Sequence, residues 1–394
     1  MNRVVLLCLC ISLTLFACKR TGMKEFSSGE GLANLARQVR PDFYLGSFYT
    51  PGHHGLSPDN PDNEQMREFI RKNYNIITAG IFMFGMQRDS GIYDPQRLAN
   101  IDYAVDFAND NNIKVYFHPL IGGANYSPDW INNGHYTKDE LRGIMKERIT
   151  TILTRYRGKV HYVDVVNEAL GSGKISPEGE FEWRKDDGKG EHVWMTQMGM
   201  WHGKNHDFPQ YLVDAFTISR EAGGENLKLI LNEYENETTV SSKGKTFLAL
   251  VKAMREEGIP VDGAGMQIHC KIRNGRFYEW GDTEFDFNAF NDMLKLYEKA
   301  GIDVHITELD IHLPPDPSKK DFELQGKCFT EILRTAIKSP AVKSLKTWGF
   351  TDKYAWKIDG IQSYPVIIDE NFKPKPAYLG WYELLRSLTS GKKE

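Results

Sequence analysis

Tyr162-Val-Asp-Val-Val-Asn-Glu-Ala169 is an apolar run that ends on polar residues, and Val304-His-Ile-Thr-Glu-Leu-Asp310 repeats the arrangement far downstream. Val, Ile and Tyr bounded by charged and loop residues read as strands covered on both faces, the pattern of a parallel sheet. A carboxylate at the C-terminal end of such a strand faces the site-bearing end of a barrel, not its packed interior. Glu168 and Glu308 hold that position in the two runs. Two carboxyl groups brought together from distant strands are what glycosidic bond cleavage requires. One protonates the leaving oxygen and the other attacks the sugar. A lone strand-end glutamate is more often an ordinary surface or ion-paired residue; the flanking Asn167-Glu-Ala169 after Val-Val and Thr307-Glu-Leu-Asp310 after Ile make a catalytic pair the stronger reading.

Working outward, strands are expected near 44–48, 75–78, 114–118, 162–167, 228–232, 263–269, 304–307 and 346–350. Amphipathic stretches fill the gaps, among them 101–109 and 247–257, and Gly158, Gly258 and Gly301 each end a helical pattern just before a strand. Strands alternating with helices, without a repeat period or a Pro/Ser linker, predict one closed (β/α)8 TIM barrel over residues 38–390. Such a barrel typically uses about 250 residues and can exceed 400, so length forces no second domain. The longest insertion, 171–207, carries Trp183, Trp194 and Trp201 and shows no period. Loops of this length are usually functional or disordered. A substrate-contacting loop is expected there, with packing of the three indoles onto the barrel as the alternative.

The net charge is −4 with both signs interspersed, and no Lys/Arg run suggests a nucleic-acid groove. No cluster has zinc spacing and no Gly-rich phosphate loop follows a strand, so neither metal nor cofactor is implied. Eight Trp matter because sugar rings offer apolar faces to an indole. At the N-terminus, Arg3, the apolar run 4–16 and Leu15-Phe-Ala-Cys18 read as a lipoprotein signal over 1–17. Cys18 would carry the lipid, 18–37 would be a polar tether, and a bacterial membrane would be a partner; secretion without an anchor is the alternative. The run is too short to span a bilayer. Cys270 and Cys328, left in the fold, do not make a disulfide framework and are expected as buried free thiols. A monomer is expected.

With these motifs the chain resembles glycoside hydrolase family 10, the family of retaining endo-1,4-β-xylanases, from about Tyr44 to Leu388. Arg155-Tyr-Arg-Gly158, Asn232-Glu-Tyr234, Gly263-Ala-Gly-Met-Gln-Ile-His269 and Trp348-Gly-Phe-Thr-Asp-Lys-Tyr-Ala-Trp356 occur in the family's order. The resemblance implies Glu168 as acid/base and Glu308 as nucleophile, with the carboxyl groups about 5–5.5 Å apart as retention requires. It implies Asn167 at the sugar 2-hydroxyl, and His269 donating to Glu308. Gln267 is implied by the same match, His118 would stand beside the −1 sugar, and Trp348 and Trp356 would form the aromatic floor and wall.

The departures lie on the glycone side. The family's Glu-Asn-x-x-Lys after the second strand is replaced within Ala79-Gly-Ile-Phe-Met-Phe84, leaving Gly80, Ile81 and Phe84 at the polar positions. Thr-Leu-Val-Trp-His after His118 becomes Pro119-Leu-Ile-Gly-Gly123, and the Trp before the acid motif is Val163. Lost donors and bulk are expected to open room for a branched xylose unit or another sugar. The expected activity is retaining hydrolysis of xylan or decorated xylan. The alternatives are an endo-β-glycanase for another plant or algal polysaccharide and a glycan-binding lipoprotein without turnover.

Overall fold

The structure is a computed structural model describing residues 30–52, 57–176, 180–186 and 188–391. The expected signal, Cys18 and most of the expected tether lie outside these residues. Eight strands form the centre: β1 (Tyr44–Phe48), β2 (Ile76–Gly80), β3 (Lys114–His118), β4 (Tyr162–Asn167), β5 (Lys228–Glu233), β6 (Gly263–Met266), β7 (Asp303–His312) and β8 (Val342–Thr347). Each pairs in parallel with the next, and β8 pairs back onto β1, so the sheet closes into a (β/α)8 barrel. Parallel neighbours need a crossover. Helices Pro61–Asn73, Pro95–Asp110, Lys138–Arg155, Gln210–Gly223, Gly244–Glu256, Phe287–Ala300, Lys319–Lys338 and Pro376–Ser390 form the outer ring. Several start where the sequence supplies a cap: Asn60, Asp94, Thr137 and Ser318 each accept a backbone N–H of the first turn.

Both faces of the strands are buried, but they differ in chemistry. Ile77, Val115, Phe117, Val163 and Val165 join the large apolar layer between sheet and helices, while Ile76, Tyr116 and Ile230 form a small separate cluster. Period-2 alternation puts that second set inside the barrel. Above it the interior turns polar. Tyr116 donates to Asp164, His305 Nδ1 lies 2.9 Å from Ser344 Oγ, and Lys346 Nζ donates to Ser344 Oγ at 3.1 Å while standing 3.7 Å over the Tyr116 ring. Burial pulls the Lys346 ammonium down to about 7 against the opposing charges of Asp164 and Glu308.

Four expectations need adjustment. The last strand spans 342–347 rather than 346–350, so Trp348 already stands in the loop above the barrel. The expected strand at 263–269 breaks after Met266, where Ile268 takes a φ of 55°, and a separate hairpin begins at His269. The folded body begins before residue 38. Helix Leu32–Val39 buries Leu32, Leu35 and Ala36, at spacings that share one helical face, against the C-terminal helix. The described residues of the insertion are also structured. They hold a hairpin (Leu170–Ile175 with Phe181–Trp183), helix Val193–Met198 and a second ladder (Met200–His202 with Asp207–Pro209).

Those elements decide the fate of the three tryptophans. Trp194 is 1 % exposed and its Nε1–H donates to Ser127 Oγ at 3.0 Å. Trp183 is buried against Phe181 and Phe208, and Trp201 stacks on Phe208 at 6.2 Å. The indoles pack the insertion onto itself and the barrel, and the substrate-contact reading fails for Trp183 and Trp194. Cys270 and Cys328 are buried and unbridged.

Candidate active site

The C-terminal ends of β3, β4, β5 and β7 converge with the break after β6. In-register pairing sets Asn167 beside Asn232, and Glu168 N donates to Asn232 O at 2.9 Å. Glu168 itself has a φ of 58°, a left-handed turn that lifts its side chain off the strand into the cleft. Asn232 is the joint of the site. Its Nδ2 donates to both Asn167 Oδ1 and Glu308 Oε1 at 2.8 Å, and its Oδ1 accepts from Thr307 Oγ1 at 2.8 Å. The two glutamates are thus held by one hydrogen-bonded frame.

Glu308 sits deep. His269 Nε2 lies 3.2 Å from Oε2 and His118 Nδ1 lies 3.7 Å from Oε1. Burial by itself would push this carboxyl up, but the His118 charge, the His269 hydrogen bond and charge, and the Asn232 donor outweigh it and hold Glu308 below the ordinary carboxylate range. The histidines answer in kind. Burial lowers His269, yet Asp310 at 2.9 Å and Glu308 raise it well above a free imidazole. Burial likewise lowers His118, and the charges of Glu308 and Asp164 raise it, with Asp164 Oδ2 at 2.7 Å from Nδ1. Asp310 also accepts Trp356 Nε1–H at 2.6 Å and has His312 Nε2 at 3.2 Å.

Glu168 is only partly covered and faces a different set of partners. Tyr126 Oη donates to Oε1 at 2.8 Å, Gln267 Nε2 lies at 3.2 Å and Asn167 Nδ2 at 3.3 Å. Arg184 Nη1 stands 3.2 Å from Oε2. Arg184 is anchored in turn through Tyr234, whose Oη accepts from Nη2 at 2.6 Å, above the buried Lys243–Glu233 pair at 2.9 Å. A cleft of about 610 Å³ runs over both carboxylates, walled by Phe82, Tyr126, Trp280, Trp348 and Trp356.

All eight residues expected at the site, Glu168, Glu308, Asn167, His118, His269, Gln267, Trp348 and Trp356, are brought to this end of the barrel. Their duties differ in detail. His118 is buried with Nδ1 turned to Asp164, and Trp356 combines a wall position with support of Asp310. Asp164 and Asp310 were missed, although both lie in the quoted strand runs. Asp310 follows Glu308 by two and so shares its face, which was a readable signal. Tyr126, Arg184 and Trp280 come from loops and had no such signal.

Aromatic rings stand where side chains at Gly80 and Gly122 would have to go. A Cβ at Gly80 would lie 2.7 Å from the Phe82 ring and 3.0 Å from Phe48, and one at Gly122 would lie 2.6 Å from the Tyr126 ring. Phe82 and Tyr126 stack with centroids 6.3 Å apart in the space those glycines permit.

The model of glycosyl hydrolase family 10 matches residues 35–383. Endo-1,4-beta-xylanase B of Thermotoga neapolitana is 29% identical over 331 residues, 82% of this chain and 84% of its own length. A thermostable celloxylanase of Thermoclostridium stercorarium is 26% identical and covers 92% of this chain and 90% of its own. Among solved structures, native xylanase 10B from Thermotoga maritima superposes with a TM-score of 0.74 at 28% identity, over 92% of this chain and 99% of the other. Xylanase 10B from Thermotoga petrophila RKU-1, in complex with xylobiose, matches with the same TM-score and identity, over 92% and 98%. This chain is a (β/α)8 enzyme that belongs to glycosyl hydrolase family 10.

Proposed function

We propose that the chain is a retaining endo-β-1,4-xylanase acting on xylan or decorated xylan. The observation that carries this reading is the pair of unlike carboxylates in one cleft: Glu308 kept ionised by His118, His269 and Asn232, and Glu168 set beside it on a separate strand. In the first step a Glu308 oxygen bonds to the anomeric carbon. The glycosidic C–O bond breaks, and the departing oxygen takes the proton of Glu168. In the second step Glu168 removes a proton from water, whose oxygen attacks the same carbon and expels Glu308. Arg184 and Tyr126 face the charge that remains on Glu168 between the two steps. A glycan-capturing protein has no need of such a pair, which argues against a binding-only role.

Product analysis on linear xylan, substituted xylans and β-glucans tests the substrate; the celloxylanase relative makes β-glucan the competitor that matters. Xylo-oligosaccharides with retained configuration are the expected products. Faster release of gluco-oligosaccharides would overturn the xylan assignment.

We also propose a lipid tether at Cys18, supported by Arg3, the apolar run and Leu15-Phe-Ala-Cys18. Cys18→Ser is expected to release the protein from membranes or block its processing. Unchanged membrane retention and mass would rule the anchor out.

A further inference from the structure

Behind the aromatic wall of the cleft lies a second, smaller cavity. Its volume is about 140 Å³, and Phe82 and Phe84 line both it and the cleft. A single ordered water needs only roughly 10–15 Å³, so the space suits part of a sugar. Its polar side is formed by Arg97 and Asn100. These residues stand three apart on helix Pro95–Asp110 and therefore share one face.

Both present donors that the described residues do not satisfy. Asn100 is 5 % exposed, and its Oδ1 accepts from Gln96 Nε2 at 3.1 Å, but its Nδ2 finds no acceptor among the described residues. Arg97 Nη1 donates to Gly52 O at 2.8 Å, and no carboxylate among the described residues pairs with the guanidinium. Gly52, with a φ of 90°, leaves the approach open: a Cβ there would lie 2.2 Å from Asn100 Nδ2 and 3.6 Å from Arg97 Nη1. Arg97 is half-buried, and both side chains line the cavity, so their remaining donors can meet a ligand there. A planar guanidinium beside an amide matches the two oxygens of a carboxylate.

Gly80 and Phe84 also line the cavity. We propose that it is a subsite for the carboxylate of a uronate branch on the glycone part of the substrate, with Arg97 and Asn100 as donors and the Phe82 and Phe84 rings against the branch sugar. The inference rests on the xylan reading above and names the substituted class of xylan that the enzyme prefers.

The test compares kcat/KM of the wild type on three xylo-oligosaccharides of equal length: linear, uronate-branched, and the same branch as its methyl ester. The ester keeps the shape and removes the charge, so no folding defect enters. The free acid is expected to be favoured over the ester by roughly ten- to hundredfold, the span of a charge-assisted hydrogen bond. Arg97→Ala should bring acid and ester to the same value, while Arg97→Lys keeps part of the difference. Turnover of the linear substrate with equal efficiency on acid and ester overturns this inference alone, as does a preference for the acid that survives Arg97→Ala. No turnover of any of the three overturns the xylan reading and the subsite with it.

Discussion

Glu308→Ala is expected to lower kcat by roughly four to six orders of magnitude, the range found when a covalent nucleophile is removed from a unit that acts together. Nothing nearby can replace it. Asn232 and His269 hydrogen-bond the carboxylate, His118 stands 3.7 Å from it while bonded to Asp164, and none of them can attack in its place. Azide added to this variant should give no product of retained configuration. Glu168→Ala should behave differently. Substrates with good leaving groups need little acid assistance, so they should still glycosylate Glu308, and the second step should stall for want of a base. Azide, which needs no base, should then release the sugar as a β-glycosyl azide. Steady-state kinetics and product stereochemistry on an activated xylobioside read both variants. Exchange of the two behaviours would reverse the assigned roles.

Trp194→Ala should cost about 3–5 kcal/mol of stability, as expected for emptying a site filled by a fully buried aromatic side chain. The loss has two parts. The indole fills space under helix Val193–Met198, and the hydroxyl of Ser127 loses its donor. Equilibrium denaturation measures the change. The ratio of kcat/KM between long and short xylo-oligosaccharides should stay as in the wild type, because a side chain 1 % exposed offers no face to a sugar. A stable variant that loses its preference for long chains would restore the substrate-contact reading.

The barrel and its paired carboxylates were legible because their signals are local. Apolar runs such as 162–167 mark a doubly covered strand. The polar residues after each run were expected on the site-bearing side, which placed Asn167 and Glu168 at the end of β4; Glu308 instead lies inside the longer strand β7, at the irregularity between Ile306 and Leu309. The same logic placed His118 at the end of β3 but not His269, which opens a hairpin after the break at Ile268, and glycines such as Gly301, in the left-handed region at a φ of 62°, marked helix ends. Local pattern was less exact at boundaries. Strand β8 stops at Thr347 even though the apolar and aromatic residues continue to Phe350.

Inside the barrel the sequence showed that both strand faces are buried, but not that one of them carries Tyr116, Asp164 and Lys346. Each of those polar groups is tolerable only because another strand supplies its partner. The same holds for the acid/base environment. Tyr126 and Arg184 reach Glu168 from loops 42 residues before it and 16 after, and no periodicity links them. The Gly80 and Gly122 positions read as lost bulk, whereas folding brings the Phe82 and Tyr126 rings into that space. The three insertion tryptophans had no period from which to infer a direction, and their burial depends on Phe208, Ser127 and the barrel wall. The sequence by itself determined the strands, their polar ends and hence the catalytic pair, because each follows from residues within one element. Tertiary structure alone decided which groups tune that pair and what shape the cleft takes, because those contacts join elements that the chain keeps apart.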